Sequence, residues 1–188
     1  MLEALLVSTG VVALAEIGDK TQLLALVLAA KYRKPKPIIL GILCATLLNH
    51  ALAGVVGAAL AAAVSPTTLR WILGLSFIAM AVWTLIPDKY EEQHARPPRF
   101  GIFGTTVLAF FLLEMGDKTQ IATVALAARY HSLPAVVAGT TLGMMLANVP
   151  AVLLGNAAAT RLPMRLVHGI AAAIFLVMGV LVLLNRGS

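Results

Sequence analysis

One seven-residue segment occurs twice, 98 positions apart, as Glu16-Ile17-Gly18-Asp19-Lys20-Thr21-Gln22 and Glu114-Met115-Gly116-Asp117-Lys118-Thr119-Gln120, with only Ile17 and Met115 differing. The offset persists outside it: Gly41 aligns with Gly139, His50 with Asn148 and Gly57 with Gly155. The halves are therefore related throughout. Breaks at Lys31–Pro37, Ser65-Pro66, Pro87–Arg99, His131–Pro134 and Arg161–Pro163 separate six apolar spans, at 2–30, 37–63, 67–86, 101–129, 134–159 and 164–185. Pro and clustered charge end helices at such places. Each half holds three spans, an odd number, so the second half enters its medium in the opposite sense to the first. The expected fold is all-α, with six transmembrane helices arranged as two inverted-topology three-helix repeats. Residues 1–86 form the first repeat, 87–100 a linker and 101–188 the second repeat.

The medium is a bilayer. The chain is 60% hydrophobic and only 12% charged, against roughly 25% charged in soluble domains. The longer apolar runs exceed the roughly 20 residues that cross about 30 Å of hydrocarbon. The net charge of +6 does not point to nucleic acid, because the basic residues lie in short loops between apolar spans. The single Cys44 excludes an intrachain disulfide and a cysteine metal site. Ala13-Leu14-Ala15 imitates a signal-peptidase site, but Met1-Leu2-Glu3 offers no basic leader. One side of the membrane receives nine Lys/Arg (Lys31, Arg33, Lys34, Lys36, Lys89, Arg96, Arg99, Arg161, Arg165) and the other three (Arg70, Arg129, Arg186). That excess places the central loop in the cytoplasm and both termini outside.

The chain has eight acidic residues, and the two heptads hold four of them, each heptad inside an apolar span. Charge at such depth is costly and marks function. On a continuous helix Glu16 and Asp19 share a face, with Lys20 near it. Gln22 widens the polar arc, and Thr21 points away with its hydroxyl toward its own backbone. The second heptad repeats this geometry with Glu114, Asp117, Lys118, Thr119 and Gln120. Both glutamates lie near mid-span, so the two copies are expected to meet across an axis in the membrane plane. Four carboxylates with amide and hydroxyl oxygens suit a hard divalent cation such as Mn²⁺ or Ca²⁺. Glu16, Asp19, Glu114 and Asp117 are thus the candidate metal ligands and proton-coupling groups. Four such carboxylates cannot all stay ionised in low dielectric once the metal leaves, so protons replace it, with coupled titrations. The plain structural alternative makes Glu16–Lys20 and Glu114–Lys118 buried ion pairs. The duplication and the extra carboxylate in each copy favour a site. Lys20 and Lys118 read either as counter-ions for the aspartates or as gating charges.

Weaker signals lie elsewhere. Asn49, His50 and Asn148 either line a pathway or bond to a neighbouring helix. Pro150 frees a backbone carbonyl inside span 5. His168 reads as interfacial, Trp71 and Trp83 as interface anchors. Gly41, Gly54, Gly57, Gly139, Gly143 and Gly155 read as close-packing positions.

The doubled heptad resembles the E-x-G-D-[KR]-[ST] motif that occurs twice in a family of small membrane cation exchangers. That family includes Golgi and chloroplast Mn²⁺/Ca²⁺ transporters and bacterial manganese exporters. The resemblance spans essentially the whole chain. It implies Mn²⁺ or Ca²⁺ transport in exchange for protons, with no cofactor and no enzymatic activity. Its functional acids fall on Glu16, Asp19, Glu114 and Asp117, with Lys20, Thr21, Lys118 and Thr119 completing the motifs. Without the long N-terminal extension of organellar members, the chain looks bacterial, which implies the cell inner membrane. The expected partners are a divalent ion and the lipid bilayer; a homo-oligomer stays open. Rival classes are an exporter of small organic cations such as basic amino acids, which needs a larger pocket with fewer paired acids, and a divalent cation channel, which would lack proton coupling. An intramembrane enzyme would need a nucleophile–base pair that the sequence does not offer.

Overall fold

The computed structural model describes residues 1–86, 100–154 and 164–184. These are all-helical, in eight helices: α1 Leu2–Glu16, α2 Lys20–Tyr32, α3 Pro35–Ala63, α4 Pro66–Thr84, α5 Gly101–Glu114, α6 Lys118–Tyr130, α7 Leu133–Leu154 and α8 Met164–Leu184. Four of them, α3, α4, α7 and α8, are long and apolar enough to cross a membrane. Spans 1 and 4 are not single helices as the sequence suggested. Each is broken in two at its heptad. The expected linker, apart from Phe100, and Gly155 lie outside the described residues.

The local causes repeat with the same offset. Arg33 (φ 52°) and His131 (φ 48°) adopt the left-handed conformation and end α2 and α6. Prolines open α3 and α4, where a missing N–H costs nothing. Ser65 Oγ accepts the Thr68 N–H at 3.2 Å, capping α4.

Packing relates the halves further. α1 lies on α7 and α5 on α3. A Cβ added at Gly41 would stand 2.7 Å from Thr106 Cβ, and one at Gly139 2.8 Å from Ser8 Cβ. Since 8 and 106 also differ by the offset, this is one contact made twice. Only a residue without a Cβ allows so close an approach. Gly41 faces Phe103 and Thr106 while Asn49 reaches Phe111, so α3 and α5 run parallel. Gly139 faces Leu5 and Ser8 while Gly143 faces Thr9 and Val12, so α7 and α1 do too. α1 and α6 run antiparallel: Asp19 meets Lys118 at one end and Glu3 meets Tyr130 at the other.

α4 and α8 pack together, with Gly74 against Gly179 and Leu183. Phe77 stacks on Phe175 with ring centroids 6.4 Å apart. These residues are also 98 apart, so the pair sits where the two halves interchange. The apolar interior has two parts. One joins α4 and α8 to the inner faces of α1 and α6, through residues such as Leu73, Phe175, Val11 and Leu126. The other joins α2, α3, α5 and α7 without α4 or α8, through Leu24, Ile42, Phe110 and Val152. The α4–α8 pair therefore leans toward the α1/α6 end. On the opposite end a groove of about 530 Å³ lies between α2 and α7, lined by Val27, Ala30 and Leu153 among others.

Candidate functional site

Each heptad forms a helix break of the same construction. α1 ends on Glu16 and α5 on Glu114. Ile17 (φ −63°, ψ 117°) and Met115 (φ −61°, ψ 121°) are extended, and Gly18 (φ 82°) and Gly116 (φ 76°) follow in the left-handed region. These angles match the central residues of a type II turn, whose third position needs glycine. The turn closes through the Asp19 N–H to the Glu16 carbonyl at 3.0 Å and the Asp117 N–H to the Glu114 carbonyl at 3.1 Å. Asp19 and Asp117 then stand at the N-caps of α2 and α6.

The break releases backbone groups, and the rest of the heptad satisfies them. Gln22 Oε1 accepts from the Gly18 N–H at 2.9 Å, and Gln120 Oε1 from the Gly116 N–H at 2.6 Å. Their amide nitrogens reach across to the other half. Gln22 Nε2 donates to the Ala147 carbonyl at 2.9 Å and Gln120 Nε2 to Asn49 Oδ1 at 3.5 Å. Positions 49 and 147 are again offset equivalents. Thr21 Oγ1 donates to Glu16 Oε2 at 2.5 Å, and Thr119 Oγ1 donates to Glu114 Oε1. Two expectations change here. Thr21 and Thr119 bond the glutamates rather than their own backbone. Glu16 and Asp19 do not share the face of one helix. The i,i+4 pairs of the structural alternative do not form, and each lysine stands beside an aspartate instead. Lys20 Nζ lies 2.7 Å from Asp117 Oδ1, and Lys118 Nζ 2.6 Å from Asp19 Oδ1. Each lysine serves the aspartate of the other half, because the turn swings it away from its own glutamate.

The result is one acidic cluster drawn from both repeats. Ligand oxygens of Glu16, Asp19 and Asp117 lie within 4.8 Å of one another, and all three residues are buried. Glu114 is also buried, at 1% exposure, but stands outside that trio. Glu16 Oε1, Glu114 Oε2 and Asp117 Oδ2 accept no hydrogen bond among the described residues. Buried oxygens without donors fit a cation, which supplies what the hydrogen bonds do not.

Of the weaker candidates, Asn49 belongs to the site's frame: its Nδ2 donates to the Phe111 carbonyl at 3.1 Å and its Oδ1 receives Gln120. Asn148 instead bonds within its own helix, to the Met144 carbonyl and sulfur, both at 3.0 Å. His50 is fully buried and both ring nitrogens lack a partner among the described residues. Neither His50 nor Asn148 is joined to the acids by a hydrogen bond. The residue that sequence reasoning missed is His168. Its Nε2 lies 3.0 Å from the Ile17 carbonyl, inside the first break. The available signal was Arg70, a second hydrogen-bonding side chain at the offset-equivalent place in α4.

Comparison with known proteins gives the family. The sequence profile of the family described as divalent cation/proton antiporter GDT1 matches residues 4–92 and 102–188. A protein of Vibrio cholerae serotype O1, named as a candidate manganese exporter, is 51% identical over 179 residues, covering 95% of this chain and 89% of its own. A GDT1-like protein 3 of Oryza sativa subsp. indica is 29% identical over 94% of this chain and 72% of its own. A GDT1-like protein 5 of Arabidopsis thaliana is 27% identical over 98% and 97% respectively. No solved structure matches the chain.

Proposed function

The chain belongs to the divalent cation/proton antiporter GDT1 family, and from that membership we propose that it exports Mn²⁺ across the bacterial inner membrane in exchange for protons, with Ca²⁺ as the alternative cargo. It is a transporter and not an enzyme. The observation that carries the reading is the buried trio of Glu16, Asp19 and Asp117, which takes oxygens from both heptads. A hard divalent ion accepts six or more such oxygens. Glu114, with Thr119 bound to one of its oxygens, completes the acid set from the side. The broken helices α1–α2 and α5–α6 each make one crossing, which with α3, α4, α7 and α8 gives six. The antiparallel run of α1 and α6 supports an inverted repeat, and the excess of basic residues supports termini outside and the central loop in the cytoplasm.

Charge supports the exchange. Each heptad carries two carboxylates and one ammonium, so two heptads with all groups ionised sum to −2. One divalent ion cancels that charge, and so do two protons. Occupation by either is compatible with burial, whereas the fully ionised empty site is not. The two lysines then act as internal counter-ions that give way as metal enters. This favours exchange of one Mn²⁺ for two protons.

The test is metal flux in inverted membrane vesicles loaded with acid and offered Mn²⁺, Ca²⁺ or Mg²⁺. Mn²⁺ should accumulate and the lumen should turn alkaline with it. Mg²⁺ should be the poorest, because it dehydrates reluctantly. Flux that ignores the pH gradient would make the protein a channel. Uptake of basic amino acids in place of metal would overturn the cation site.

A further inference from the structure

The two helix breaks are alike in construction but not in surroundings. At the first break the Ile17 carbonyl, freed from helical bonding, accepts from His168 Nε2 at 3.0 Å. At the second, the equivalent Met115 carbonyl receives no side chain among the described residues, and Met115 is 57% exposed. His168 sits on α8. Its offset equivalent on α4 is Arg70, whose Nε is buried and lacks a hydrogen-bond partner among the described residues. Its guanidinium stands 6.0 Å from the Trp71 ring centroid. The Phe77–Phe175 stack shows that the offset holds physically through this pair of helices.

The same asymmetry appears in packing. α8 packs on α1 and α4 on α6, whereas the swapped pairs, α4 on α5 and α8 on α2, are not packed to the same degree. Ala127 and Ala128, on α6, are buried, while their equivalents on α2, Ala29 and Ala30, are half-buried and exposed and line the groove. Exchanging the conformations of the two halves would reverse each of these differences. It would close the groove, open the α6 side, and set Arg70 on the Met115 carbonyl in the place His168 now holds on Ile17.

We propose that His168 and Arg70 are paired positioning residues, each holding the freed carbonyl of one heptad in one of two alternating states. This rests on the inverted-repeat transporter reading above. His168 stabilises the state described here, in which the α4–α8 pair lies against α1 and α6. Arg70 stabilises its counterpart, in which that pair lies against α5 and α2. Neither residue touches the metal. Each sets how long one face stays shut by fixing the turn that carries Glu16 and Asp19, or Glu114 and Asp117.

The experiment measures the two states directly. In a Cys44→Ser background, spin labels at Lys31 and Leu166 span the open side, and labels at Arg129 and Thr68 span the closed side. These pairs are offset equivalents, and all four residues are exposed. Pulsed dipolar distances should be long for the first pair and short for the second. His168→Ala should move the population toward the reverse pattern by roughly three- to ten-fold, the range that one net hydrogen bond supplies. Arg70→Ala should move it the other way. His168→Gln, whose amide still donates, should restore the original distribution. Unchanged distances in His168→Ala, or the same direction of shift in both alanine variants, would overturn the proposal. If His168→Ala fails to insert, the direction in Arg70→Ala and the retention in His168→Gln still decide it. Vesicle flux separates this from the function: opposite distance shifts without Mn²⁺ flux would sink the export reading alone, and intact Mn²⁺/proton exchange with unresponsive distances would sink the latch alone.

Discussion

Replacing Lys118 by Met should destabilise the protein much more than the same change at Lys20. Lys118 lies 2.6 Å from Asp19, with side chains 1% and 0% exposed. Removing one partner of a fully buried pair costs about 3–5 kcal/mol, because the remaining charge stays out of water with its ion-pair partner gone. Met keeps most of the volume, so little of the loss comes from a cavity. At about 2–4 °C per kcal/mol for a chain of this length, the melting temperature should fall by roughly 6–20 °C. Lys20 lies 2.7 Å from Asp117, but its side chain is 21% exposed. That ammonium is less completely desolvated, so its pair with Asp117 lies between the exposed and the fully buried case. Lys20→Met should therefore fall between the exposed-pair loss of about 0–1 kcal/mol and the buried value. The assay is thermal unfolding in detergent with chelator, followed by far-ultraviolet circular dichroism. The double variant Lys118→Met/Asp19→Asn removes both charges and should recover most of the loss. The reasoning fails if Lys118→Met melts within about 2 °C of wild type, or if the double variant melts as low as the single one.

Glu16→Gln and Glu114→Gln should each abolish proton-coupled Mn²⁺ flux in vesicles while leaving the protein inserted, since Gln keeps the shape but loses the charge and the exchangeable proton. Normal flux in either variant would remove that carboxylate from the coupling site. Gly18→Ala and Gly116→Ala force an L side chain into φ 82° and φ 76°, at a cost of about 1–2 kcal/mol. Both should retain helical content by circular dichroism and lose Mn²⁺ binding measured by calorimetry, because the turn aims the acids; unaltered binding would show that the break is dispensable.

Much of the site was legible because it is written twice. The meeting of the two heptads follows from the offset and from the cost of charge in an apolar span. The break was harder to read. Its heptad lies in an uninterrupted apolar run with no proline, so the helical period dominates. The contrary signal was local: glycine followed by aspartate, a left-handed residue before an N-cap. Reading Glu16 to Gln22 as continuous helix then misdirected everything that depends on direction. It sent Thr21 away from Glu16 and kept Lys20 beside the acids of its own heptad rather than the aspartate of the other half. The glycines at 41 and 139 were legible because close packing needs no knowledge of the partner helix. His168 was not, because its partner is a carbonyl that exists as an acceptor only once the helix is broken.

The Lys20–Asp117 and Lys118–Asp19 contacts have the form found in an isologous dimer: residue i of one copy meets residue j of the other, and j meets i. A single polypeptide thus carries an interface designed, in effect, against itself. This sets a rule for how the heptads can change. A charge swap inside one heptad leaves both contacts mismatched, since neither partner lies in that heptad. Reversing Lys20 is compensated only by reversing Asp117, and reversing Asp19 only by reversing Lys118. The two copies are held alike less by their own helices than by each other, and drift in one half is answerable to the other.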